Sequence, residues 1–243
     1  MEPTKLVYLE DMHALTGDAK VVEVVDADGR TYVVLDQTVL YAQGGGQPAD
    51  HGIIKNDAST FTVVDVRFKD GVVHHYGEFE STPLSIGDKV VIEVDGERRQ
   101  LHKRLHSAAH VLDMVVAEMN LPWVPGKGYH FPDGPYVEYA GSLEGVDVEN
   151  LKAKIEHRIH EIVMSDISTR TVFVGKDEMA KLCRFVPKHL PEGKPMRVVL
   201  YGEFGVPCGG THVAHLSEIG TETIRKIKVE KGIVKIGYDI GRA

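Results

Sequence analysis

Hydrophobic and polar positions change rhythm partway along the chain. From Lys20 to about Val94, short β-branched runs, "KVVEVV", "TYVVL", "FTVVDVRF" and "KVVIEV", are separated by turn signals such as "KDG" and "SIGD". Such runs between glycine-containing turns predict paired strands, and so a small β-barrel or sandwich-like domain over residues 1–97. After "DGERRQ" the period lengthens: Leu101, Leu105, Ala108, Leu112, Val115 and Met119 recur at steps of three and four. That spacing predicts an amphipathic helix with these residues as its buried stripe. A second helix is predicted from about Val148, with Asp147 as its N-cap and Leu151, Ile155, Ile159 and Ile162 facing the core. The pattern then returns to strands at "TVFV" and "MRVVLYGEF" and reaches "TIRKIKVEKGIVKIGYDI", a hairpin turning at Lys231 and Gly232. The fold class predicted is α+β: an N-terminal β-barrel domain carrying a glycine-rich loop, then an α+β domain over residues 98–243.

Composition adds bounds. A chain of 243 residues accommodates one large domain or two modest ones. A hydrophobic fraction of 42% and a charged fraction of 26% are those of a globular protein and argue against disorder. No run of apolar residues is long enough to span a bilayer, and the polar start "MEPTKLVYLEDM" is unlike a signal peptide, so a cytoplasmic location with no membrane partner is expected. The formal net charge of −8 conceals an asymmetry, because residues 1–97 carry −11 and residues 98–243 carry +3. The second part also holds basic clusters: Arg98, Arg99, Lys103 and Arg104; Lys181, Arg184 and Lys188; Arg225, Lys226, Lys228, Lys231 and Lys235. Clusters of this kind either follow a phosphate backbone or coat a solvated face, so they admit a nucleic-acid partner without establishing one.

Two segments carry the candidate chemistry. In "LHKRLHSAAHVL" His106 and His110 are four residues apart and share a helix face, off the predicted apolar stripe. Alone they read better as ordinary histidines with ordinary hydrogen bonds. Ser107 follows His106 where a zinc protease of the HExxH type has its glutamate, which argues against that activity. His102 extends the row but is not read as a ligand. In "GVPCGGTHVAH" Cys208 and His212 enclose Gly209 and Gly210, whose lack of side chains permits positive φ and a close wrap around an ion. The chain's two cysteines make no disulfide framework, and a cysteine beside histidines in a reducing compartment reads as metal-binding or catalytic. His106, His110, Cys208 and His212 together form a donor set suited to Zn²⁺, in a tertiary site rather than a finger. Ser107 and Thr211 read as helix and loop residues, since no third group orients a base; a zinc-bound water is the candidate nucleophile and no side chain is assigned that role. Cys183 reads as a small buried apolar residue.

Taken together, "HSAAHVL", "PCGGTHVAH" and the hairpin sequence that follows resemble the zinc-binding editing domain shared by alanyl-tRNA synthetase and the free-standing AlaX proteins. The upstream "LDQTVLYAQGGGQPADHGII" resembles the glycine-rich segment that precedes this domain, so the resemblance covers about Thr31 to Tyr238. No stretch resembles the synthetase's aminoacylation domain, which implies an AlaX protein of the medium-length class. The chain has HSAAHVL where HTATHLL is common, and Ala42 and Gln43 where proline and glutamate usually precede the three glycines; the ligands are unchanged. The resemblance implies a trans-editing hydrolase that cleaves the ester of mischarged Ser-tRNA(Ala), with Gly-tRNA(Ala) as a further candidate, while sparing Ala-tRNA(Ala). It further implies Zn²⁺ as cofactor and tRNA(Ala) as partner. Substrate contacts would come from Thr38 and from the Gly44, Gly45, Gly46, Gln47 loop, which otherwise simply joins two strands and lacks the Lys-Ser/Thr of a P-loop. Contacts to tRNA would come from Arg98, Arg99, Lys103, Arg104, Arg225, Lys226 and Lys228. Two rivals stay open: an editor of another mischarged tRNA, such as Ser-tRNA(Thr), and a non-catalytic tRNA-binding module stapled by a closed four-ligand zinc.

Overall fold

Strand-forming alternation closes the first part of the chain on itself. The computed structural model describes residues 2–27, 29–186 and 195–241, so Lys188 of the second basic cluster lies outside the described residues. The chain divides into two units, residues 1–101 and 102–243. In the first, β1 (Thr16–Ala27), β2 (Arg30–Leu35), β3 (Gly52–Lys55), β4 (Thr60–Lys69), β5 (Val72–Phe79) and β6 (Lys89–Val94) form a closed barrel in the order β1-β2-β5-β4-β3-β6. The last strand pairs antiparallel with the first, which removes the exposed edges of an open sheet. Val21, Val33, Leu35, Ile54, Phe61, Val63, Val73 and Ile92 fill the interior. Two strands had no signal in the apolar pattern. β3 is only four residues long, and β5 interrupts its apolar run with His74 and His75.

The interior of the first unit also holds polar groups, each with partners. Asp50 and Arg99, both 1% exposed at the side chain, form an ion pair. Asp50 also accepts the Tyr41 N–H, and Arg99 also donates to the carbonyls of Val39 and Met12 at 2.7 and 3.3 Å. Removing one partner of such a pair strands a buried charge, which is why it behaves as a structural unit. Nearby in the same unit, His75 donates from Nδ1 to the Val33 carbonyl at 2.9 Å, so its Nε2 accepts from the Thr38 hydroxyl at 2.9 Å. Thr38 in turn accepts the Leu40 N–H at 3.0 Å.

The helix α1 (Gly96–Glu118) starts earlier than the periodicity implies and runs from the first unit into the second. Leu101, the first residue of the predicted stripe, is 37% exposed. Beyond it the helix is not amphipathic: Leu105, Ala108, Ala109, Val111, Leu112 and Val115 are buried all round it, along with His102, His106, Ser107 and His110. Polar residues off the apolar stripe therefore lie in the interior, not in solvent.

Around this helix the second unit builds β7 (Val124–Tyr129), β8 (Tyr136–Ala140), α2 (Val148–Met164), β9 (Thr169–Val174), a short α3 (Lys176–Leu182), β10 (Met196–Tyr201), β11 (Phe204–Pro207), β12 (Glu222–Glu230) and β13 (Ile233–Ile240). As predicted, Asp147 caps α2 by accepting the Asn150 N–H at 3.1 Å, and Leu151, Ile155, Ile159 and Ile162 are buried. An antiparallel sheet runs in the order β12-β13-β8-β7, and a second one in the order β9-β10-β11. Lys231 and Gly232, with φ of 51° and 75°, make the tight turn between β12 and β13. Cys183 packs with Val174, Met179, Val198 and Leu200, and burial pushes its thiol up to about 11, so it stays protonated and inert. Among the described residues no helix is long and apolar enough to cross a membrane.

Burial pulls His75 down to about 4, against an ordinary value near 6.5. The unfolded chain therefore binds a proton that the barrel refuses between those values, so stability falls as pH drops from about 6.5 to about 4. The loss approaches about 3 kcal/mol. Urea midpoints measured across this range should show that slope, and His75→Gln should flatten it; an identical pH profile in the variant would rule His75 out as its source.

Candidate metal centre

Helix α1 presents His106 and His110 one turn apart, and the loop after β11 brings Cys208 and His212 to meet them. One donor atom from each of the four lies within 4.8 Å of all the others. Cys208 Sγ is 3.5 Å from His106 Nε2 and accepts the Gly210 N–H at 3.3 Å. The rings are held from behind. His110 donates from Nδ1 to Asp113 at 3.4 Å, and the other Asp113 oxygen accepts the Tyr139 hydroxyl at 2.7 Å. His212 Nδ1 lies 2.9 Å from the Tyr201 hydroxyl and 3.4 Å from Ser107 Oγ, which also accepts the Val213 N–H. Both rings thus have Nδ1 occupied, and both leave a buried Nε2 with no hydrogen-bond partner.

Orphaned buried nitrogens are costly unless something takes their lone pairs. Here two of them converge with a third imidazole and a sulfur, the donor chemistry that suits a tetrahedral ion with bonds of about 2.0–2.3 Å. The residues present therefore fit a metal ion. A carboxylate behind a ligating imidazole, as Asp113 stands behind His110, fixes the ring and raises its basicity.

Electrostatics agree with this reading. Burial, then the neighbouring His212, His130 and His110, hold His106 well below its ordinary value; burial and His110 do the same to His212. Both rings are neutral and available as ligands. Burial acts against a charge on His110 as well, but Asp113 and Cys208 outweigh it and raise the group to about 9. Burial opposes the Cys208 thiolate, yet His110, the Gly210 N–H and Arg197 bring the thiol below its usual value.

Several residues that shape the centre escaped the sequence reading. Arg197 on β10 is 7% exposed and donates to the carbonyls of Cys208 and Gly210 at 2.9 and 2.8 Å, fixing the loop that carries the sulfur. His130 stacks on His106, with centroids 4.5 Å apart and planes 23° from parallel. Its Nδ1 donates to the Tyr238 hydroxyl, which donates to the Leu105 carbonyl of α1. Asp113 had a usable signal, three residues after His110 on the same helix. Arg197, His130, Tyr139 and Tyr201 had none, because strand pairing alone brings them near. Neither Gly209 nor Gly210 takes a positive φ, so their value lies in compactness rather than backbone handedness.

Other expected site residues are placed differently. Arg99 and Lys103 are buried, Arg99 in the ion pair with Asp50, and neither presents its charge to a phosphate. Arg98 donates to the Ala49 carbonyl, Arg104 to those of Ile219 and Gly241, and Arg225 to those of Tyr238 and Pro135 and to Asp239. These clusters were legible as charge, but carbonyls at element ends draw their guanidinium groups. Lys226 is exposed, and Lys228 is half-exposed beside Glu230. Thr38 is fully buried in the barrel unit, its hydroxyl engaged by His75 and Leu40, so a substrate could use only its remaining lone pair. In the same unit Gly45 and Gly46 have φ of 53° and 80° and form a tight turn closed by backbone bonds between Gly44 and Gln47. Gln47 is buried; Gly44 and Gly45 are exposed.

Two predictions follow from this geometry. Loading the site with a divalent metal at pH 7.5 should displace the His110 proton, releasing about one proton per ion. Affinity should then climb with pH until about 9; calorimetry in buffers of different ionisation enthalpy measures both, and uptake without proton release contradicts the assignment. Arg197→Met should weaken metal affinity about tenfold or more through the loosened loop. Competition with a chromogenic chelator reads the effect, and unchanged affinity would deny Arg197 that part.

Comparison with known proteins bears on the family. Residues 4–98 match the family described as tRNA synthetases class II (A). The alanyl-tRNA editing protein AlaX-L of Pyrococcus horikoshii is 32% identical over 97% of this chain and 57% of its own length. The alanine-tRNA ligase of Methanothrix thermoacetophila is 35% identical over 87% of this chain and 23% of its own length, and that of Caldivirga maquilingensis is 28% identical over 100% and 27%. The chain thus spans about a quarter of the length of the ligases it matches. Barrel, four-donor centre and alignment along nearly the whole chain agree: the chain belongs to the family that alanine-tRNA ligases and AlaX editing proteins share.

Proposed function

We propose that this protein is a zinc-dependent aminoacyl-tRNA deacylase that hydrolyses the ester of mischarged Ser-tRNA(Ala), and of Gly-tRNA(Ala) as a further substrate, while sparing Ala-tRNA(Ala). The observation that carries the reading is the convergence of His106, His110, Cys208 and His212, with two orphaned Nε2 atoms, in a chain related to AlaX-L. A pocket built for alanine cannot exclude glycine and gains little against serine, since one small group is worth about 1–3 kcal/mol; accuracy then requires a second, hydrolytic reaction.

The chain's own residues supply most of the arrangement. His106, His110, Cys208 and His212 would hold Zn²⁺, which when bound supplies Lewis acidity toward a water or an ester carbonyl. Asp113 and Tyr201 keep the ligand rings in place through their Nδ1 atoms, and Arg197 keeps the cysteine loop in place. The backbone N–H groups of Gly45 and Gly46 are the donors we assign to substrate oxygen, with Lys226 and Lys228 as phosphate contacts. A serine hydroxyl offers a hydrogen bond that alanine lacks, and leaving its buried partner unpaired is what would disfavour alanine.

Purified protein should release serine from Ser-tRNA(Ala) and leave Ala-tRNA(Ala) intact. Cys208→Ala should lose at least about a hundredfold in rate while its circular dichroism is retained. Faster release from Ser-tRNA(Thr) would redirect the assignment to a different editor. A zinc-loaded, folded wild type inactive on all three substrates would leave a stapled binding module.

A further inference from the structure

Residues 129–131 alternate in direction at the end of β7. His130 turns inward onto the candidate ligand His106, and it fits there because Gly128 has no side chain: a Cβ at that position would lie 2.4 Å from the His130 ring. Tyr129 and Phe131 turn the other way and stack on each other, with centroids 4.5 Å apart and planes 15° from parallel. Tyr136, the register partner of Tyr129 on β8, extends the stack at 5.3 Å and 16°. Lys235 caps its far end with Nζ 3.1 Å from the Tyr136 centroid.

The ladder lies on the sheet face away from the core. Val137, Tyr139, Val234, Ile236 and Tyr238 occupy the inner face and are buried; Tyr129, Phe131 and Tyr136 are partly exposed and belong to no core cluster. Stacked rings with an ammonium at one end and a partly exposed ring at the other are the chemistry that binds unpaired bases, as on the open sheet faces of RNA-binding domains. Lysines and carboxylates alternate around the ladder: Lys228 pairs in register with Lys235 and Lys127 is exposed on β7, while Glu230 pairs with Lys228, Glu138 lies 3.8 Å from Lys235, and Asp133 accepts the Tyr129 hydroxyl.

We infer that the Tyr129–Phe131–Tyr136 ladder is a stacking platform for the unpaired bases at the 3′ end of the nucleic-acid substrate. The inference rests on the proposed function and adds a partner surface to it. Its carrying observation is the juxtaposition: the two outward rings are each one residue from His130, which lies against a metal-ligand candidate. Phe131 and Tyr129 thus flank His130 along the strand, on the opposite face of the sheet from it.

The test uses the full chain and an uncharged RNA hairpin with a short unpaired 3′ end carrying 2-aminopurine as the terminal base, next to a blunt-ended version. Wild type should quench the 2-aminopurine on binding. Phe131→Leu keeps apolar bulk but removes the ring; it should weaken binding of the tailed hairpin about tenfold and lose the quenching, without changing the blunt one. Phe131→Trp should restore both. Metal content and thermal unfolding are measured on each variant, and Tyr129→Leu serves should Phe131→Leu fail to fold. Quenching and affinity unchanged in both leucine variants would overturn the platform and leave the ladder to strand packing, with deacylation untouched. A wild type that deacylates but never quenches the terminal base also overturns the platform alone; one that neither binds RNA nor deacylates overturns the proposed function with it.

Discussion

Four donor groups share a volume in which Nε2 of His110, protonated until an ion takes the proton's place, and Nε2 of His212 have no hydrogen-bond partner, and the side chains around them answer to that constraint. Buried imidazole nitrogens without partners destabilise a fold unless an ion collects them. Everything behind the rings prevents the easier solution of swinging them toward another acceptor. Asp113 is tied to Tyr139, Tyr201 and Ser107 surround His212, and Arg197 pins the loop carbonyls beside Cys208. Rigidity of the supporting shell is what lets unsatisfied atoms persist at the centre.

The barrel unit handles polar burial in the opposite way. Asp50 and Arg99 satisfy one another and nearby backbone groups, and the Val33, His75, Thr38 and Leu40 chain uses each donor and acceptor in turn. A complete network stiffens a fold and leaves little chemistry free. The contrast is local: satisfied polar groups hold the barrel, while the candidate metal centre keeps two ring nitrogens without partners. It also shows that Arg99, buried against Asp50, serves the scaffold, while Arg98, Arg104 and Arg225 hold backbone carbonyls. A guanidinium finds carbonyls to bind, while the sheet-face lysines Lys228 and Lys235 sit beside Glu230 and Glu138.

The relatives place this pair of units in longer proteins. The same stretch occupies about a quarter of an alanine-tRNA ligase and somewhat more than half of AlaX-L. All four donors, their supports and the aromatic ladder come from residues 102–243, while the glycine-rich turn that we assign to substrate belongs to the first unit.

The four candidate metal donors were legible because their chemistry is local. A His-x-x-x-His pair on a helix and a Cys-x-x-x-His loop each declare a shared face or turn, and their joint occurrence singles out one donor set. The two-part fold was legible because strand and helix periods differ, and the cap at Asp147 because a single side chain decides it. Tertiary packing decided the rest. Burial on all sides of α1 put His106 and His110 in the interior and left Leu101 exposed, which no periodicity within one helix can foretell. It spent Arg99 on Asp50, forty-nine residues away, and brought Arg197, Tyr139 and Tyr201 to the centre through strand register and His130 through the residues just beyond β7. Sequence by itself determined which atoms can bind a metal; only the folded chain decided which were held, oriented and deprived of other partners, because hydrogen-bond competition and desolvation depend on neighbours distant along the chain.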